Sequence, residues 1–162
     1  MDRIRKYGEK VLRDKAEEVR EIDESICRIV KKMKAVLEEK EGLGLAAPQI
    51  GISKRIFIAL DKDRNRIITV INPELIEKKG KEIDFEGCLS FPEIFFSIER
   101  AKSIVLRGVN EKGEDFAVEA TGLLARCCQH EIDHLDGKLI IDYATKEEKA
   151  VCKDRLERLL KK

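Results

Sequence analysis

The longest stretch with a helical spacing of apolar residues runs from about residue 24 to 40. Asp23 provides an N-cap before this stretch, and Gly42 stops the pattern after it. The apolar positions are Ile26, Ile29, Val30, Met33, Val36 and Leu37. Because residues three and four apart share one face of a helix, the pattern predicts an N-terminal amphipathic helix packed against a sheet.

Two further helices are predicted in the last third of the chain. Thr121 and Gly122 open the first of them, and Gly137 is its expected C-terminal stop. The second begins at the capping box formed by Thr145 and Glu148. It carries four apolar residues that we expect to share one side: Cys152, Leu156, Leu159 and Leu160.

The middle of the chain alternates β-branched and aromatic runs with polar turns. Residues 55–60 and 66–72 predict one β-hairpin, and residues 102–109 and 115–120 predict another. The glycine-rich segment 42–51 is too irregular for a helix. Because the strands are clustered between helices, the sequence predicts an α+β fold with antiparallel sheets and not an alternating parallel fold.

Composition narrows the class of protein. A chain of 162 residues suits one domain, and 43% hydrophobic residues suffice for a core. The 33 basic residues nearly balance the 32 acidic ones, which disfavours a protein that depends on attraction to nucleic acid. No stretch has the length of a membrane span or the pattern of a signal peptide, so we expect a cytoplasmic protein without membrane contact.

The two histidines of the chain stand together in the motif His130-Glu131-Ile132-Asp133-His134. On a helix, residues four apart lie on the same face one turn apart, so both imidazoles can reach one metal ion. Glu131 lies beside that face and can contact a metal-bound water without being a ligand. The motif therefore predicts a metal site on the second helix.

Two histidines need a third protein ligand, and the cysteines are the candidates. Cys127 lies near the histidine face, but it is seven residues, about 10 Å along the axis, from His134. Cys88 follows Gly87, which allows the backbone to turn there, and it is the predicted third ligand with Cys127 as the alternative. The other interpretation, a small buried hydrophobic residue, applies to Cys27, Cys127, Cys128 and Cys152.

A site with two histidines, one cysteine and an open position is typical of catalytic metal centres, since structural sites usually fill all four positions with protein ligands. The ion would polarise a carbonyl and lower the pKa of its water toward ~7. Glu131 would take the water proton and pass it to a leaving amine. The sequence thus predicts hydrolysis of an amide-like bond.

Three segments, in this order and at this spacing, resemble the motifs of the peptide deformylase family. They are GLGLAAPQ at 42–49, EGCLS at 86–90 and QHEIDHLDG at 129–137. The resemblance implies removal of the N-formyl group from formyl-methionine on nascent chains, with release of formate. It also implies one divalent ion per chain, usually Fe²⁺, which Zn²⁺, Ni²⁺ or Co²⁺ can replace. We accordingly expect a single catalytic domain over residues 1–162.

The same resemblance implies a role for each motif residue. The metal ligands are Cys88, His130 and His134, and Glu131 is the general base. The Gln49 side chain and the backbone N–H of Leu89 would hold the developing oxyanion. Residues 42–44 would pair with the substrate backbone as an added strand. The substrate-binding set implied in this way is Gly42, Leu43, Gly44, Glu86, Gly87, Leu123 and Cys127.

The chain departs from the family pattern just after the cysteine motif. Many relatives carry an arginine there, whereas this chain reads PEIFF at residues 92–96. A substrate contact by that arginine must be dropped or replaced by aromatic packing, which leaves the role of Phe95 open. Arg126 stands near the expected methionine pocket, and we expect it to face solvent with its stem along the helix.

The terminal segment 146–162 contains seven basic and four acidic residues. In the family such a helix is linked to docking near the ribosomal exit tunnel, and a basic surface suits RNA. A solvated amphipathic helix that covers the core explains the same pattern. Two other functions also fit parts of the sequence, namely a zinc endopeptidase and a non-catalytic metal-stabilised module that acts through the basic tail.

Overall fold

The computed structural model describes residues 2–161. Its α-helices are α1 (Glu24–Lys40), α2 (Gly122–Leu135), α3 (Lys146–Val151) and α4 (Lys153–Leu160). Its strands are β1 (Gly44–Ala46), β2 (Ile56–Asp61), β3 (Arg66–Lys79), β4 (Glu82–Cys88), β5 (Phe91–Arg100), β6 (Ser103–Val109) and β7 (Asp115–Thr121). Short 3-10 helices occupy Lys10–Leu12, Ala47–Ile50 and Ile140–Tyr143. This arrangement is α+β with antiparallel sheets, as predicted.

The first helix begins and ends where the apolar pattern indicates. The Asp23 carboxylate caps α1 by accepting a hydrogen bond from the Ile26 amide at 3.2 Å. Glu41, in the left-handed conformation at φ 52°, ends the helix one residue before Gly42. The buried face of α1 packs against the β2 and β3 side chains Ile56, Ile58 and Ile71.

The main sheet has five antiparallel strands in the order β1-β2-β3-β6-β7. The two predicted hairpins correspond to β2–β3 and β6–β7. β3 continues past the predicted end to Lys79, with a register irregularity between Ile71 and Glu74. Segment 42–51, for which no element was predicted, contains β1 at the sheet edge and the 3-10 helix Ala47–Ile50.

β4 and β5 form a separate two-stranded antiparallel ribbon that the hydrophobic pattern did not reveal. On β5, Phe96, Ile98 and Arg100 are buried in alternation, while Phe95, on the opposite face, is exposed. A strand places successive side chains on opposite faces, so one face of the ribbon is buried and the other is open. The arginine in the buried series breaks the apolar alternation that would have indicated this strand.

α2 lies against the main sheet and contacts β1, β2 and β7. It follows Thr121, and Gly137 takes the left-handed conformation just beyond its end at φ 75°. Most of its side chains from Ala125 to Leu135 are buried, because the sheet covers one face and the β4–β5 ribbon approaches the other. The histidine motif is therefore held inside the protein.

The C-terminal helix departs from the prediction in two ways. Thr145 and Glu148 form the predicted capping box, each side chain accepting from the other's backbone amide at 3.1 Å. The helix is nevertheless interrupted at Cys152, whose φ of −107° and ψ of 17° separate α3 from α4. Leu160 is 54% exposed and does not share the buried side with Cys152 and Leu156.

One of the cysteine predictions is wrong. Cys27 is exposed because α1 turns it away from the sheet. Its thiol lies 3.5 Å from the Glu111 carbonyl oxygen. Cys127, Cys128 and Cys152 are buried as expected. Within residues 2–161, none of the helices combines the length and apolar character that crossing a bilayer requires.

Candidate metal centre and active site

The structure brings together one cysteine and both histidines from distant parts of the chain. Cys88 lies at the end of β4, and His130 and His134 lie one turn apart on α2. One potential ligand atom from each residue lies within 4.8 Å of the others. The Cys88 sulfur and the His134 Nε2 are 3.3 Å apart. Cys127, the alternative ligand, lies against β1 instead, where its thiol is 3.4 Å from the Leu43 carbonyl oxygen.

The chemistry of this group fits a divalent transition metal. Thiolate and imidazole ligands suit iron, zinc, nickel and cobalt. Burial alone would lower the pKa of His130, but the negative charge of Glu131 and hydrogen bonds with Cys88 and Glu86 raise it well above its ordinary value. The surroundings of His130 therefore favour a positive charge at this point, which a bound cation supplies.

Glu131 is buried beside the histidines and has a carboxylate oxygen free for chemistry. Its Oε1 is buried and has no hydrogen-bond partner among the described residues. Burial raises the pKa of Glu131 to about 7, although the neighbouring His130 opposes the shift. A buried carboxyl group of this kind is suited to exchange a proton near neutral pH.

A buried carboxylate orients His130 from behind. The Glu86 Oε1 lies 2.9 Å from His130 Nδ1 and accepts from Arg100 at 2.9 Å, while its Oε2 accepts from Arg100 and from Arg126 at 2.8 Å and 2.7 Å. Burial would raise the pKa of Glu86, but the hydrogen bonds from Arg100 and His130 lower it to about 2. Because the carboxylate engages Nδ1, Nε2 of His130 is left for a metal ion.

Arg126 does not face solvent, so the prediction for this residue is wrong. It is 8% exposed and, besides Glu86, donates to the backbone oxygens of Ile98 at 2.9 Å and of Glu82 at 2.8 Å. The unpredicted β4–β5 ribbon covers this face of α2 and provides these acceptors. Arg126 therefore ties the ribbon to the helix that carries the histidines.

Arg100 and Asp133 extend the same network and were not predicted as site residues. Arg100 donates to Asp133 at 2.6 Å, and Asp133 also accepts from the Tyr143 hydroxyl at 2.6 Å. Asp133 lies inside the histidine motif, and Arg100 belongs to the buried series of β5. Because the strand that carries Arg100 left no local pattern in the sequence, no signal pointed to its pairing with Asp133.

The Gln49 side chain points its amide nitrogen at Cys88, the predicted third ligand. Its oxygen accepts from the Ala46 backbone amide at 2.9 Å, which fixes the orientation of the amide group. Its nitrogen donates to Ser90 Oγ at 3.2 Å and to Cys88 Sγ at 3.6 Å. Leu89 follows Cys88 in the turn between β4 and β5, where its carbonyl oxygen accepts from Lys6.

A cavity of about 620 Å³ opens beside these groups. Its lining includes all of the residues implied as substrate contacts, oxyanion donors and general base: Gly42, Leu43, Gly44, Gln49, Glu86, Gly87, Leu89, Leu123, Cys127 and Glu131. The Glu86 carboxylate is already engaged by arginines and His130, so its backbone is the part available to a ligand. Three aromatic side chains also line the cavity: Phe85 and Phe91, which the sequence did not place there, and Phe95, whose role the sequence left open.

Gly44 on β1 permits the close approach of the sheet edge to Glu131. A Cβ atom at Gly44 would lie 2.5 Å from Cys127 Sγ and 2.7 Å from Glu131 Oε2. These distances are too short for non-bonded atoms, so a residue with a side chain does not fit at this position. The Leu43 carbonyl oxygen accepts from the Leu60 amide of β2 at 2.8 Å. In the same trans peptide unit, the Gly44 N–H therefore points away from β2, toward the open side of the edge strand.

Comparison with known proteins assigns this chain and its fold to a family. The sequence profile of the polypeptide deformylases matches residues 1–150. The chain belongs to this family. It is 47% identical over 144 residues to the peptide deformylase of Clostridium botulinum, covering 89% of this chain and 97% of that protein. Members of the peptide deformylase family are hydrolases, which confirms the predicted enzyme class.

Solved deformylase structures share the fold over nearly the whole length. The Thermus thermophilus enzyme superposes with a TM-score of 0.93 at 37% identity, covering 99% of this chain and 98% of that one. A Plasmodium falciparum peptide deformylase in complex with an inhibitor gives a TM-score of 0.88 at 37% identity, covering 99% of this chain and 100% of that one.

Proposed function

We propose that this chain is a metal-dependent hydrolase that removes the N-formyl group from formyl-methionine of newly synthesised polypeptides and releases formate. The observation that carries this proposal is the convergence of Cys88, His130 and His134 beside buried Glu131 at the cavity. Membership of the deformylase family supports the reaction type. We further propose that residues 1–162 form a single catalytic domain located in the cytoplasm.

The metal would be held by Cys88, His130 and His134. A divalent ion bound there, which we propose to be Fe²⁺ with Zn²⁺, Ni²⁺ or Co²⁺ as substitutes, supplies a Lewis acid that polarises the formyl carbonyl and acidifies water. Glu86 and the arginines that hold it keep His130 in the orientation that this binding requires.

Glu131 accepts a proton from the attacking water and later donates it to the leaving group. Its Oε1 is buried and lacks a partner within the described residues, so it is free to accept the water proton and return it. The recipient is the methionine nitrogen, which leaves as a neutral amine when the formyl C–N bond breaks. General acid–base transfer of this kind contributes about 10²–10⁴-fold to a rate.

Two donors are placed to stabilise the negative charge that develops on the formyl oxygen. The Gln49 amide nitrogen is directed toward Cys88 because its oxygen is fixed by the Ala46 amide. We assign the second donor to the backbone N–H of Leu89, the residue after Cys88. Donors held in position before the reaction stabilise developing charge without reorganising.

The substrate backbone would lie along the open edge of β1. The outward-pointing Gly44 N–H offers a strand-like hydrogen bond to an incoming peptide, and Gly42 and Leu43 continue that edge. The methionine side chain would enter the apolar part of the cavity, between Leu123 and Cys127. Gly87 would contact the peptide from the ribbon side.

Formate release from formyl-Met-Ala-Ser tests the proposal directly. Protein purified without oxygen, with metal content measured by plasma emission on the same sample, should release one formate per peptide and leave casein uncut. Oxygen should inactivate the enzyme and nickel or cobalt should restore it, because a thiolate beside Fe²⁺ is easily oxidised. Casein cleavage without formate would indicate the zinc endopeptidase instead.

Two variants separate the roles of base and ligand. Glu131→Gln should keep the metal and lose about 10²–10⁴-fold in kcat. Cys88→Ala should lose the metal, whereas Cys27→Ala, which removes an exposed thiol, should retain both metal and rate. Unchanged metal content in Cys88→Ala would return Cys127 as the ligand, and an active Glu131→Gln would exclude the proposed base.

We also propose that the charged segment 146–162 contacts the ribosome. α3 and α4 expose Lys149, Lys153 and Arg158 to solvent. Co-sedimentation with ribosomes should be lost when these three residues are replaced by glutamate, while formate release from peptides is retained. Unchanged sedimentation would leave a solvated helix that only covers the core.

A further inference from the structure

The open face of the β4–β5 ribbon carries large apolar side chains. Ile83 and Phe85 on β4 are 68% and 71% exposed, and Phe95 on β5 is 63% exposed. All three lie on the same face, since Phe85 pairs with Ser97 across the ribbon and Phe95 stands two residues before Ser97. Phe85 and Phe95 line the cavity, whereas Ile83 is not among its lining residues.

Phe95 is held beside the metal centre by a glycine. A Cβ atom at Gly87 would lie 2.6 Å from Cε1 of the Phe95 ring, so the ring rests directly on the Gly87 backbone. Only glycine permits this contact, because any side chain would displace the ring. Gly87 precedes Cys88, so the position of the ring is fixed one residue from the cysteine ligand.

Other elements contribute further apolar side chains to the mouth of the cavity, although the charged residues Lys6, Lys40, Glu41 and Glu93 also line it. Leu123 on α2 is 48% exposed and Leu43 beside β1 is 37% exposed, and both line the cavity. Apolar side chains that surround an opening and remain exposed are typical of a binding surface. Aromatic rings contribute most to such surfaces because they are large and rigid.

We propose that Phe95, together with Phe85, selects substrates with a large apolar side chain in the first or second residue after the formyl-methionine. This inference rests on the proposed function. An extended peptide advances about 3.4 Å per residue, so a chain whose formyl group lies at Cys88 passes the Phe95 ring within its next residues. The ring then packs against an apolar side chain and offers no favourable contact to an acidic one.

The test measures kcat/KM for two peptide series, formyl-Met-X-Ser and formyl-Met-Ala-X, with X as Phe, Leu, Ser or Asp. At one of the two positions, we expect the ratio of kcat/KM for X as Phe or Leu to kcat/KM for X as Ser to be about 3–10. Phe95→Ser should reduce that ratio to below about twofold, and Phe95→Arg should shift the preference toward Asp. Ile83→Ser is the matched control, since Ile83 lies on the same face outside the cavity.

Phe85→Ser provides a second variant that does not disturb the packing on Gly87, and it should reduce the same ratio. Equal rates for all X in both series, or a ratio that Ile83→Ser lowers as much as Phe95→Ser does, would overturn the inference. Sedimentation that shows self-association abolished by Phe95→Ser, with the ratio unchanged, would assign the face to a second copy of the chain. Absence of formate from every peptide would instead refute the proposed function.

Discussion

Glu86 and Glu9 are two carboxylates with similar acidity in very different places. Burial opposes ionisation of Glu86, yet Arg100 lowers its pKa to about 2, and the hydrogen bonds from Arg3 lower the pKa of Glu9 to about 2. The side chains of Glu86 and Arg100 are 6% and 5% exposed, whereas those of Glu9 and Arg3 are 30% and 60% exposed. The pKa alone thus does not distinguish a pair at the active site from a pair on the surface.

The difference lies in what remains when one partner is removed. Water and salt solvate an exposed charge that loses its partner, so surface pairs contribute about 0–1 kcal/mol. A buried charge that loses its partner has no such replacement and destabilises the fold by several kcal/mol. Glu86 also holds a predicted metal ligand, so its loss should affect the site as well as the fold.

The largest effect is expected for Glu86→Ala. This variant leaves the Arg100 and Arg126 guanidinium groups buried without their shared carboxylate, and it frees His130 to rotate. We expect the free energy of unfolding to fall by about 3–5 kcal/mol and metal affinity to fall by about 10–100-fold. Urea unfolding and metal titration measure the two losses.

Glu86→Gln provides the matched comparison because it keeps the shape of the side chain. It should show a smaller loss of stability than Glu86→Ala. If metal affinity is the same in Glu86→Ala as in the wild type, Glu86 does not orient His130.

Arg126→Met should have the next largest effect. It removes one of the two guanidinium groups on Glu86 and leaves the backbone oxygens of Ile98 and Glu82 without their donor. Since Arg100 still pairs with Glu86, we expect a loss of about 2–3 kcal/mol in urea unfolding. A loss below about 0.5 kcal/mol would show that β4–β5 is held to α2 by its apolar contacts alone.

The pH dependence of stability should further distinguish Glu86 from Glu9. Both folded pKa values lie below the ordinary 4.5, so the stabilisation from each charge is present above about pH 4.5 and is lost as the pH falls toward 2. For Glu9 this stabilisation is small, because solvent screens the exposed pair with Arg3. Between about pH 6 and about pH 3, the stability difference between wild type and Glu86→Gln should shrink by about 2 kcal/mol. In about 1 M NaCl this change should persist for Glu86, whereas the corresponding change for Glu9→Gln should vanish.

The smallest effect is expected for Glu9→Ala. The variant removes an exposed pair with Arg3 and a hydrogen bond from the Lys6 amide. We expect unfolding free energy to change by less than about 1 kcal/mol, with metal content and formate release unchanged. A loss comparable to that of Glu86→Ala would contradict the distinction between the two regions.

The metal group could be predicted because its chemistry is local in the sequence. His130 and His134 lie one helical turn apart, and elimination among the cysteines selected Cys88, which the structure places with them. The network behind them could not be predicted in this way. Arg100 and Arg126 meet Glu86 only because the β4–β5 ribbon folds over α2, and a pairing between distant segments leaves no local pattern.

The fold shows the same division between features that are local in the sequence and features that depend on distant contacts. The ends of α1 and α2 agree with the prediction, because Asp23 caps α1 and a glycine follows the end of each helix in the sequence. The spacing of apolar residues gave no sign of the break at Cys152 that separates α3 from α4. The apolar face of Phe85 and Phe95 was likewise hidden, because a strand whose solvent-exposed face is aromatic resembles an irregular segment.

The shortness of β1 limits the length of any strand that can pair with this edge of the main sheet. A sheet edge with free backbone groups tends to recruit strands from neighbouring molecules, which leads to aggregation. β1 extends only from Gly44 to Ala46 before the chain turns into a 3-10 helix. Such an edge can hold the first few residues of a guest polypeptide, yet it is too brief to template a lasting intermolecular sheet.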